Sequence, residues 1–151
     1  MFKSVKIISV FCTENCAEKY ADNINELKSA CSDFYFVSED VLKSISDTVT
    51  PQGVVCAVKM RSNDFEYESG KRYIALDTIQ NPDNLGAISR TAEAFGIDGM
   101  VICGGCDIYN PKALRASMGA LFRLPVKVCK NLKDEIALCK NVGIMSFATV
   151  P

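Results

Sequence analysis

Histidine and tryptophan are absent from the 151 residues of this chain. Without histidine, the chain has neither the commonest general base of enzymes nor the Ser-His and Cys-His pairs that activate nucleophiles. No apolar run approaches the roughly 18 residues that a membrane-spanning helix requires. The first residues carry neither the hydrophobic region of a signal peptide nor an N-myristoylation glycine, so we expect a cytoplasmic protein without membrane association.

The chain also lacks an excess of either charge, since 17 Lys and Arg residues face 18 Asp and Glu residues. Its total charge therefore does not indicate a nucleic-acid-binding protein. The two halves differ, because residues 1–70 carry seven basic and eleven acidic side chains, whereas residues 71–151 carry ten and seven. Every charged residue between Asp107 and Asp134 is basic, a pattern that is more often a solvated surface than a phosphate-binding face.

Cysteine, by contrast, is frequent, with eight residues in the chain. Without an export signal, these cysteines are expected to be reduced thiols rather than a disulfide framework. Cys103 and Cys106 have the spacing of zinc and redox motifs, but the other close pair, Cys12 and Cys16, lies far away in the sequence. Since no histidine is available to complete a site, we expect no bound metal.

Hydrophobic residues make up 48% and charged residues 23% of the chain, which excludes a disordered or fibrous protein. Apolar β-branched segments alternate with segments of helical periodicity, which predicts an α/β fold. The polar, acidic segment 62–71 is predicted to be a linker between a domain of residues 1–61 and a domain of residues 72–151. In the first domain, the pattern predicts strands at residues 5–11, 34–37 and 53–60, and helices at residues 14–30 and 39–45.

The second domain has the more regular pattern. Four strands joined by three helical crossovers predict a mostly parallel sheet, in which ligands bind at the carboxyl ends of the strands. Asn84 and Asn110 are predicted to cap their helices, and Gly96 and Gly143 to end them. The predicted strands are residues 73–77, 99–103, 124–129 and 144–148, and the predicted helices are residues 85–95, 111–117 and 132–141.

The strand, loop and helix of residues 73–96 lie where a mononucleotide-binding fold carries its phosphate loop. The loop has neither the G-x-G-x-x-G pattern nor a Walker sequence, which leaves dinucleotide and nucleoside triphosphate binding without support. Arg90 lies outside the apolar stripe of the helix, and considered singly it is a surface cation and Asn84 an N-cap. The stripe predicted to be buried consists of Leu85, Ile88, Ala92 and Phe95.

Three segments resemble one known family. Residues 81–96 (NPDNLGAISRTAEAFG) and 109–126 (YNPKALRASMGALFRLPV) resemble the SpoU-type, or TrmH-like, RNA ribose 2′-O-methyltransferases of the SPOUT superfamily. Residues 44–55 (SISDTVTPQGVV) are similar to the end of the small substrate-binding domain, of ribosomal-protein L30e-like shape, that precedes the catalytic domain in many of them. The resemblance spans roughly residues 35–150.

The resemblance implies an L30e-like α/β RNA substrate-binding domain followed by the first part of a Rossmann-like SPOUT domain with a trefoil knot. It further implies a homodimeric enzyme that transfers methyl groups from S-adenosylmethionine to ribosomal or transfer RNA. The catalytic roles fall on Asn84 and Arg90. Because a guanidinium with a pKa above about 12 is a poor proton acceptor, we assign phosphate anchoring and oxyanion stabilisation to Arg90. Asn84 is assigned the orientation of the arginine or of the ribose.

The same resemblance gives other residues a role. Lys112, Arg115 and Arg123 flank the catalytic loop region and are expected to bind RNA phosphates. Thr149, at the end of the last predicted strand, is a candidate for a contact to the cofactor adenosine. The family's Gly-Asn-Glu-Gly motif and its later turn with Ser and Asn, which supply most cofactor contacts, are absent from these 151 residues.

We therefore expect a protein that is incomplete at both ends, inactive in isolation, and able to bind S-adenosylmethionine weakly or not at all. The alternative is a non-catalytic RNA-binding module that holds RNA without a cofactor. A flavodoxin-like or nucleotide-binding regulator explains the alternation of strands and helices, but it does not explain the pairing of Asn84 with Arg90.

Overall fold

The computed structural model describes residues 5–149 of the chain. Two compact units follow one another, the first ending at Arg61 and the second beginning at Ser62. Each unit has its own three-stranded sheet. Among the described residues, no helix is long and apolar enough to cross a membrane.

The described part of the first unit contains three strands and three helices. They are β1 (Ile7–Cys12), α1 (Glu14–Lys19), α2 (Ala21–Ala30), β2 (Cys31–Phe36), α3 (Glu39–Ile45) and β3 (Val54–Val58). In the sheet, β1 is the central strand, with β2 parallel and β3 antiparallel to it. Val10, Cys12, Ile24 and Leu27 belong to the buried core that joins α2 to the sheet.

The single helix predicted over residues 14–30 is two helices. The Thr13 hydroxyl oxygen begins α1 by accepting a hydrogen bond from the Cys16 amide at 3.3 Å. α1 ends at Lys19, because Tyr20 adopts φ −126° and ψ 43°, outside the helical region, before α2 begins at Ala21. The interruption leaves Tyr20 at the surface, with 48% of the residue exposed.

The other strands of the first unit occupy the predicted places with shifted ends. β2 begins at Cys31 instead of residue 34, because its first residues already pair with β1 in the parallel register Ile7 to Cys31. β3 is shorter than the predicted strand 53–60, since Gly53 lies before it with a positive φ of 90°.

The second unit has a fully parallel sheet. Its elements are β4 (Tyr73–Asp77), α4 (Pro82–Ala94), β5 (Gly99–Cys103), α5 (Pro111–Ala116), α6 (Ala120–Arg123), β6 (Val126–Cys129) and α7 (Leu132–Asn141). The strand order is β4-β5-β6, and all five residues of the central strand are buried, as expected where helices cover both faces. The predicted α/β class and parallel sheet are confirmed.

The first helix of this unit, α4, starts three residues earlier than predicted. Asn81, not Asn84, is its N-cap, since the Asn81 Oδ1 atom accepts a hydrogen bond from the Asp83 amide at 2.8 Å. Pro82 favours this start, because its φ is already helical and it has no N–H that needs a partner. The predicted cap at Asn110 is confirmed, and its side chain begins α5.

The end of α4 also differs from the prediction at one residue. Phe95, predicted to belong to the buried stripe, is 74% exposed. α4 ends at Ala94 and Phe95 follows as its C-cap with ψ 4°, so the Phe95 side chain leaves the line of the stripe. Gly96 then takes the left-handed conformation that the sequence predicted, with φ 65°.

The strand predicted at residues 144–148 is not formed. Residues 144–149 lie outside helices and strands, and Met145 and Phe147 are 79% and 86% exposed. A strand needs a hydrogen-bonded neighbour, and within the described residues no strand pairs with this segment. The last strand of the sheet, β6, begins at Val126 instead of residue 124, because the preceding residues form α6 and Leu124 is its C-cap.

The segment 62–71, predicted to be a linker, packs on the second unit. The Asn63 carbonyl accepts a hydrogen bond from the Val128 amide at 3.0 Å, at the edge strand β6. Phe65 stacks on Tyr73 of β4, with the ring centroids 5.4 Å apart. Because these contacts cover an otherwise open edge and an aromatic surface, the segment is structurally part of the second unit.

A cluster of polar side chains also holds segment 62–71 on the second unit. The Tyr67 hydroxyl donates a hydrogen bond to Glu135 Oε2 at 2.7 Å, and Lys127 Nζ lies 3.3 Å from that oxygen and 3.2 Å from Asp64 Oδ1. The Lys127 ammonium also lies 5.1 Å from the centroid of the Tyr67 ring. Burial and the Glu135 carboxylate raise the pKa of Tyr67, which therefore keeps the proton that it donates.

We expect Tyr67→Phe to lower the free energy of unfolding of the second unit by about 1–2 kcal/mol, because it removes a hydrogen bond to a carboxylate. Amide hydrogen exchange in residues 73–141, followed by mass spectrometry, measures the change. Tyr20→Phe, at an exposed tyrosine of the first unit, is the control and should leave this exchange unaltered. The same exchange rates in both variants would contradict the role given to the Tyr67 hydroxyl.

Candidate active site

The loops after β4 and β5 lie at the carboxyl edge of the parallel sheet, where α/β proteins bind ligands. The Thr78 amide donates a hydrogen bond to the Cys103 carbonyl, and the Cys106 amide donates one to the Ile79 carbonyl, both at 2.8 Å. Thr78 has a φ of 56°, a strained conformation for a β-branched residue. The two loops are thus held against each other at the edge from which the chain enters α4.

The polar groups of this edge are engaged with one another. The Thr78 hydroxyl donates a hydrogen bond to Asp77 Oδ1 at 2.8 Å. In the loop after β5, Gly105 packs so closely that a Cβ at this position would overlap the Ile79 backbone. These contacts join the two loops, while Asp77, Thr78 and Gly105 stay exposed at the edge.

α4 carries both residues predicted to be catalytic. Asn84 lies in its first turn and Arg90 further along, and both residues are exposed. Six residues of α-helix separate their Cα atoms by about 9 Å along the axis and by about 120° around it. The two side chains therefore leave α4 on different sides, and the orientation of Arg90 or of the ribose by Asn84 stays a prediction.

The helix that carries Arg90 packs closely against α5 through a glycine. A Cβ on Gly86 would lie 2.5 Å from the Ala116 Cβ and 2.7 Å from the Ser117 amide nitrogen, so only glycine permits this approach. Lys112 and Arg115 are exposed and lie one turn apart on α5. The crossing at Gly86 thus places these two cations on the helix pair that presents Arg90.

Arg123, predicted to bind RNA, is paired within the protein. Its Nε and Nη2 atoms donate to the two Glu93 carboxylate oxygens at 2.6 and 2.8 Å, and Nη2 also donates to the Met118 carbonyl at 3.2 Å. This fork joins α6 to α4, raises the pKa of Arg123 and lowers the pKa of Glu93. Sequence patterns gave no signal for the pair, because 30 positions separate its members.

The remaining candidate groups are dispersed. Thr149 is exposed and lies outside any strand. All eight cysteines are free thiols, and within residues 5–149 no three His, Cys, Asp or Glu side chains converge as metal ligands. Burial, together with a neighbouring cysteine, raises the pKa of Cys12 and of Cys129 to about 11, so both thiols are protonated at neutral pH and are poor nucleophiles.

Comparison with known proteins identifies both units. Residues 71–151 match the SpoU rRNA methylase family, and residues 2–63 match the family of RNA 2′-O ribose methyltransferase substrate-binding domains. The chain belongs to the SpoU rRNA methylase family. The resemblance that residues 44–55, 81–96 and 109–126 predicted is therefore confirmed, including the order of a substrate-binding unit before a methylase unit.

Curated SpoU-type relatives are longer than this chain. It is 33% identical over 116 residues to the 23S rRNA (guanosine(2553)-2′-O)-methyltransferase RlmP of Bacillus subtilis, an alignment that covers 76% of this chain and 46% of that protein. It is 38% identical over 96 residues to the human mitochondrial rRNA methyltransferase 3, which covers 58% of this chain and 23% of that protein. The chain thus spans about half, or less, of the length of these relatives.

Solved methyltransferase structures share the fold of the chain. An AdoMet-bound rRNA methyltransferase from Sinorhizobium meliloti is similar with a TM-score of 0.68 and 28% identity, over 91% of this chain and 52% of that one. The SpoU methyltransferase AviRb from Streptomyces viridochromogenes, solved with the cofactor AdoMet, has a TM-score of 0.75 at 22% identity, over 92% and 55%. At that lower identity, AviRb supports the fold alone.

The pair of Glu93 and Arg123 makes the stability of the SpoU methylase unit depend on pH. Because the pKa of Glu93 is lower in the folded chain than its ordinary value of 4.5, the pair stabilises the fold above that pH. This contribution disappears as the pH falls through the lowered value. The side chains of Arg123 and Glu93 are 44% and 32% exposed, so we expect Arg123→Gln to lower the free energy of unfolding at neutral pH by at most about 1 kcal/mol.

Urea unfolding of the wild-type chain and of Arg123→Gln, at neutral pH and at about pH 3, measures this dependence. The difference between the two proteins should shrink at the lower pH, where Glu93 becomes protonated. Lys133→Gln, which removes one exposed positive charge from α7, is the control. A difference of equal size at both pH values would contradict the ion pair as its cause.

Proposed function

We propose that this chain is part of an S-adenosylmethionine-dependent methyltransferase that acts on the ribose 2′-hydroxyl of ribosomal or transfer RNA. The observation that carries the proposal is the order of its two units, a substrate-binding unit followed by a SpoU methylase unit. RlmP of Bacillus subtilis, named for 2′-O methylation of a 23S rRNA guanosine, supports the substrate class. The AdoMet-bound Sinorhizobium meliloti structure supports the cofactor.

Arg90 is proposed to act electrostatically. When bound, S-adenosylmethionine supplies an electrophilic methyl group for the ribose oxygen. The Arg90 guanidinium would hold an RNA phosphate through its fork of donors and stabilise the ribose oxygen as it gains negative charge. Its exposure on α4 supports access to RNA. Because a guanidinium does not accept a proton near neutral pH, Arg90 is not the base.

The other candidate residues have distinct proposed roles. Asn84 would hydrogen-bond the ribose, since the helix geometry separates its side chain from Arg90. Lys112 and Arg115 would contact RNA phosphates from α5. Arg123, with its fork occupied by Glu93, would support α6 beneath that surface rather than bind a phosphate directly.

At the carboxyl edge of the sheet, where α/β proteins bind ligands, Asp77, Thr78 and Gly105 are exposed. The Asp77 and Thr78 side chains hydrogen-bond each other, and Gly105 lies against the Ile79 backbone with no room for a Cβ. Thr149, which is exposed, is the residue of this chain that we propose as a contact to the cofactor. The mechanism proposed for this chain is confined to what Arg90 and Asn84 do to the RNA.

The full-length protein is further proposed to be a cytoplasmic homodimer with a trefoil knot, as the family resemblance implies. Exposed apolar side chains of the second unit support an association that covers them. They include Phe95, Met145 and Phe147, which are 74%, 79% and 86% exposed.

Methyl transfer by the complete reading frame that contains this chain tests the proposal. The full-length protein is incubated with methyl-labelled S-adenosylmethionine and ribosomal or transfer RNA, and the RNA is then digested to nucleosides for mass spectrometry. A 2′-O-methylated nucleoside supports the proposed reaction. RNA binding without any methyl transfer would instead support the non-catalytic RNA-binding module, and methylation on a base would overturn the reaction class.

A further inference from the structure

The first unit contains a pocket of about 580 Å³ that the proposed catalytic residues do not use. It lies between α1, α2 and the loop of residues 51–53 that precedes β3. The buried side chains of Cys16, Ile24 and Leu27 give it an apolar floor. Its volume suits a small molecule or a single nucleotide.

Two local features of the sequence build the wall of this pocket. Gly53, with φ 90°, lets the loop approach α1, since a Cβ there would lie 2.5 Å from the Cys16 Cβ. The Gly53 carbonyl accepts a hydrogen bond from the Thr13 amide at 2.9 Å, and the Thr13 hydroxyl caps α1. The loop that includes Pro51 and Gln52 is therefore held beside the pocket. The end of the motif in residues 44–55 thus forms part of the pocket wall.

The rim of the pocket combines an aromatic ring, a cation and amides. Tyr20, at the break between α1 and α2, is 48% exposed, and Lys19 Nζ lies 5.2 Å from the centroid of its ring. Asn15, Asn23 and Gln52 also line the pocket, and all three are exposed. Proteins bind unstacked bases by stacking them on aromatic side chains and by hydrogen-bonding their edges, and amides can donate and accept such bonds.

We infer that this pocket binds one unstacked nucleobase of single-stranded RNA. The base stacks on Tyr20, and its polar edge meets Asn23 and Gln52. The neighbouring phosphate lies toward Lys19 and away from the carboxylate of Glu39, which also lines the pocket. The inference rests on the proposed function, because it takes RNA as the substrate of this unit. It explains how a unit whose residues 1–61 carry eight acidic and seven basic side chains recognises RNA, since base contacts rather than phosphate attraction dominate.

Fluorescence anisotropy with labelled single-stranded RNA hexamers tests the pocket in the 151-residue chain. We expect Tyr20→Ala to weaken binding about tenfold, as the loss of one stacked base implies, and Tyr20→Phe to bind as tightly as the wild type. Tyr35→Ala is the matched control, because Tyr35 is also 48% exposed but does not line the pocket. Circular dichroism establishes that each variant is folded. No binding by the wild type, or equal weakening by Tyr20→Ala and Tyr35→Ala, would overturn the inference.

Photo-crosslinking with hexamers that contain 4-thiouridine gives a second readout without substitutions. We expect the adduct on the tryptic peptides of residues 7–19 and 20–28, which carry the pocket wall and Tyr20. An adduct on the peptide of residues 44–59, which carries Gln52, would also fit the pocket. Adducts confined to peptides outside these three would contradict an RNA site here. Competition by free nucleoside monophosphate at the concentration at which the hexamer itself competes would contradict it as well. Failure of methyl transfer by the full-length protein leaves these results unchanged, so the two proposals fail separately.

Discussion

Replacing Arg90 with alanine in the full-length protein is expected to lower the rate of RNA methyl transfer at saturating RNA by about 10²–10³-fold. The expectation follows from the loss of a group that stabilises charge as it develops on the ribose oxygen. Arg90 is exposed on α4 and lies outside the packed face of that helix, so the substitution should leave the fold intact. Methyl transfer from labelled cofactor under single-turnover conditions measures the effect.

Two further variants make the assignment of Arg90 specific. Arg90→Lys keeps the positive charge but loses the fork of donors, and it should recover only part of the activity. Lys133→Ala removes an exposed cation from α7 and should keep the wild-type rate. Undiminished turnover in Arg90→Ala would remove Arg90 from the proposed mechanism, and equal losses in Arg90→Ala and Lys133→Ala would reduce its role to general RNA attraction.

Gly86→Ala is expected to destabilise the second unit by about 1–3 kcal/mol, although alanine normally favours a helix over glycine. The added Cβ would lie 2.5 Å from the Ala116 Cβ and 2.7 Å from both the Ala113 carbonyl oxygen and the Ser117 nitrogen. Two of these three neighbours are backbone atoms, so α4 and α5 must move apart. Urea unfolding of the wild type and the variant measures the change.

The neighbouring residue supplies the control for this substitution. Ala87 is exposed on α4, one position after Gly86, and Ala87→Gly should cost about 1 kcal/mol through helix propensity alone. If Gly86→Ala instead stabilised the unit by that amount, the close crossing of α4 and α5 would be refuted.

Because this crossing also places Lys112 and Arg115 beside α4, Gly86→Ala should weaken RNA binding by the full-length protein.

Periodicity predicted the parallel sheet of the second unit because the signals for its elements are local. β4, β5 and α7 have the predicted ends, where apolar runs or helical periodicity meet Gly and Asn residues with fixed backbone preferences. α4 began earlier than predicted, since Pro82 and the Asn81 cap outweighed the first apolar residue. Residues 144–148 have a strand-like sequence and no strand, because pairing depends on a neighbouring strand that the segment itself does not specify.

The candidate sites also have some features that the sequence predicts and others that only the tertiary structure shows. The motifs around Asn84 and Arg90 identified the family from sequence, and the helical period predicted that Arg90 lies outside the buried face. Only the tertiary structure shows the pairing of Arg123 with Glu93 and the packing of segment 62–71 on β6. The same is true of the pocket wall that Gly53 forms where it is hydrogen-bonded to Thr13. Caps, turns and helical faces are determined by residues that lie within a few positions of one another in the sequence. Contacts between residues 30 or more positions apart depend on how whole elements pack, and no local pattern encodes them.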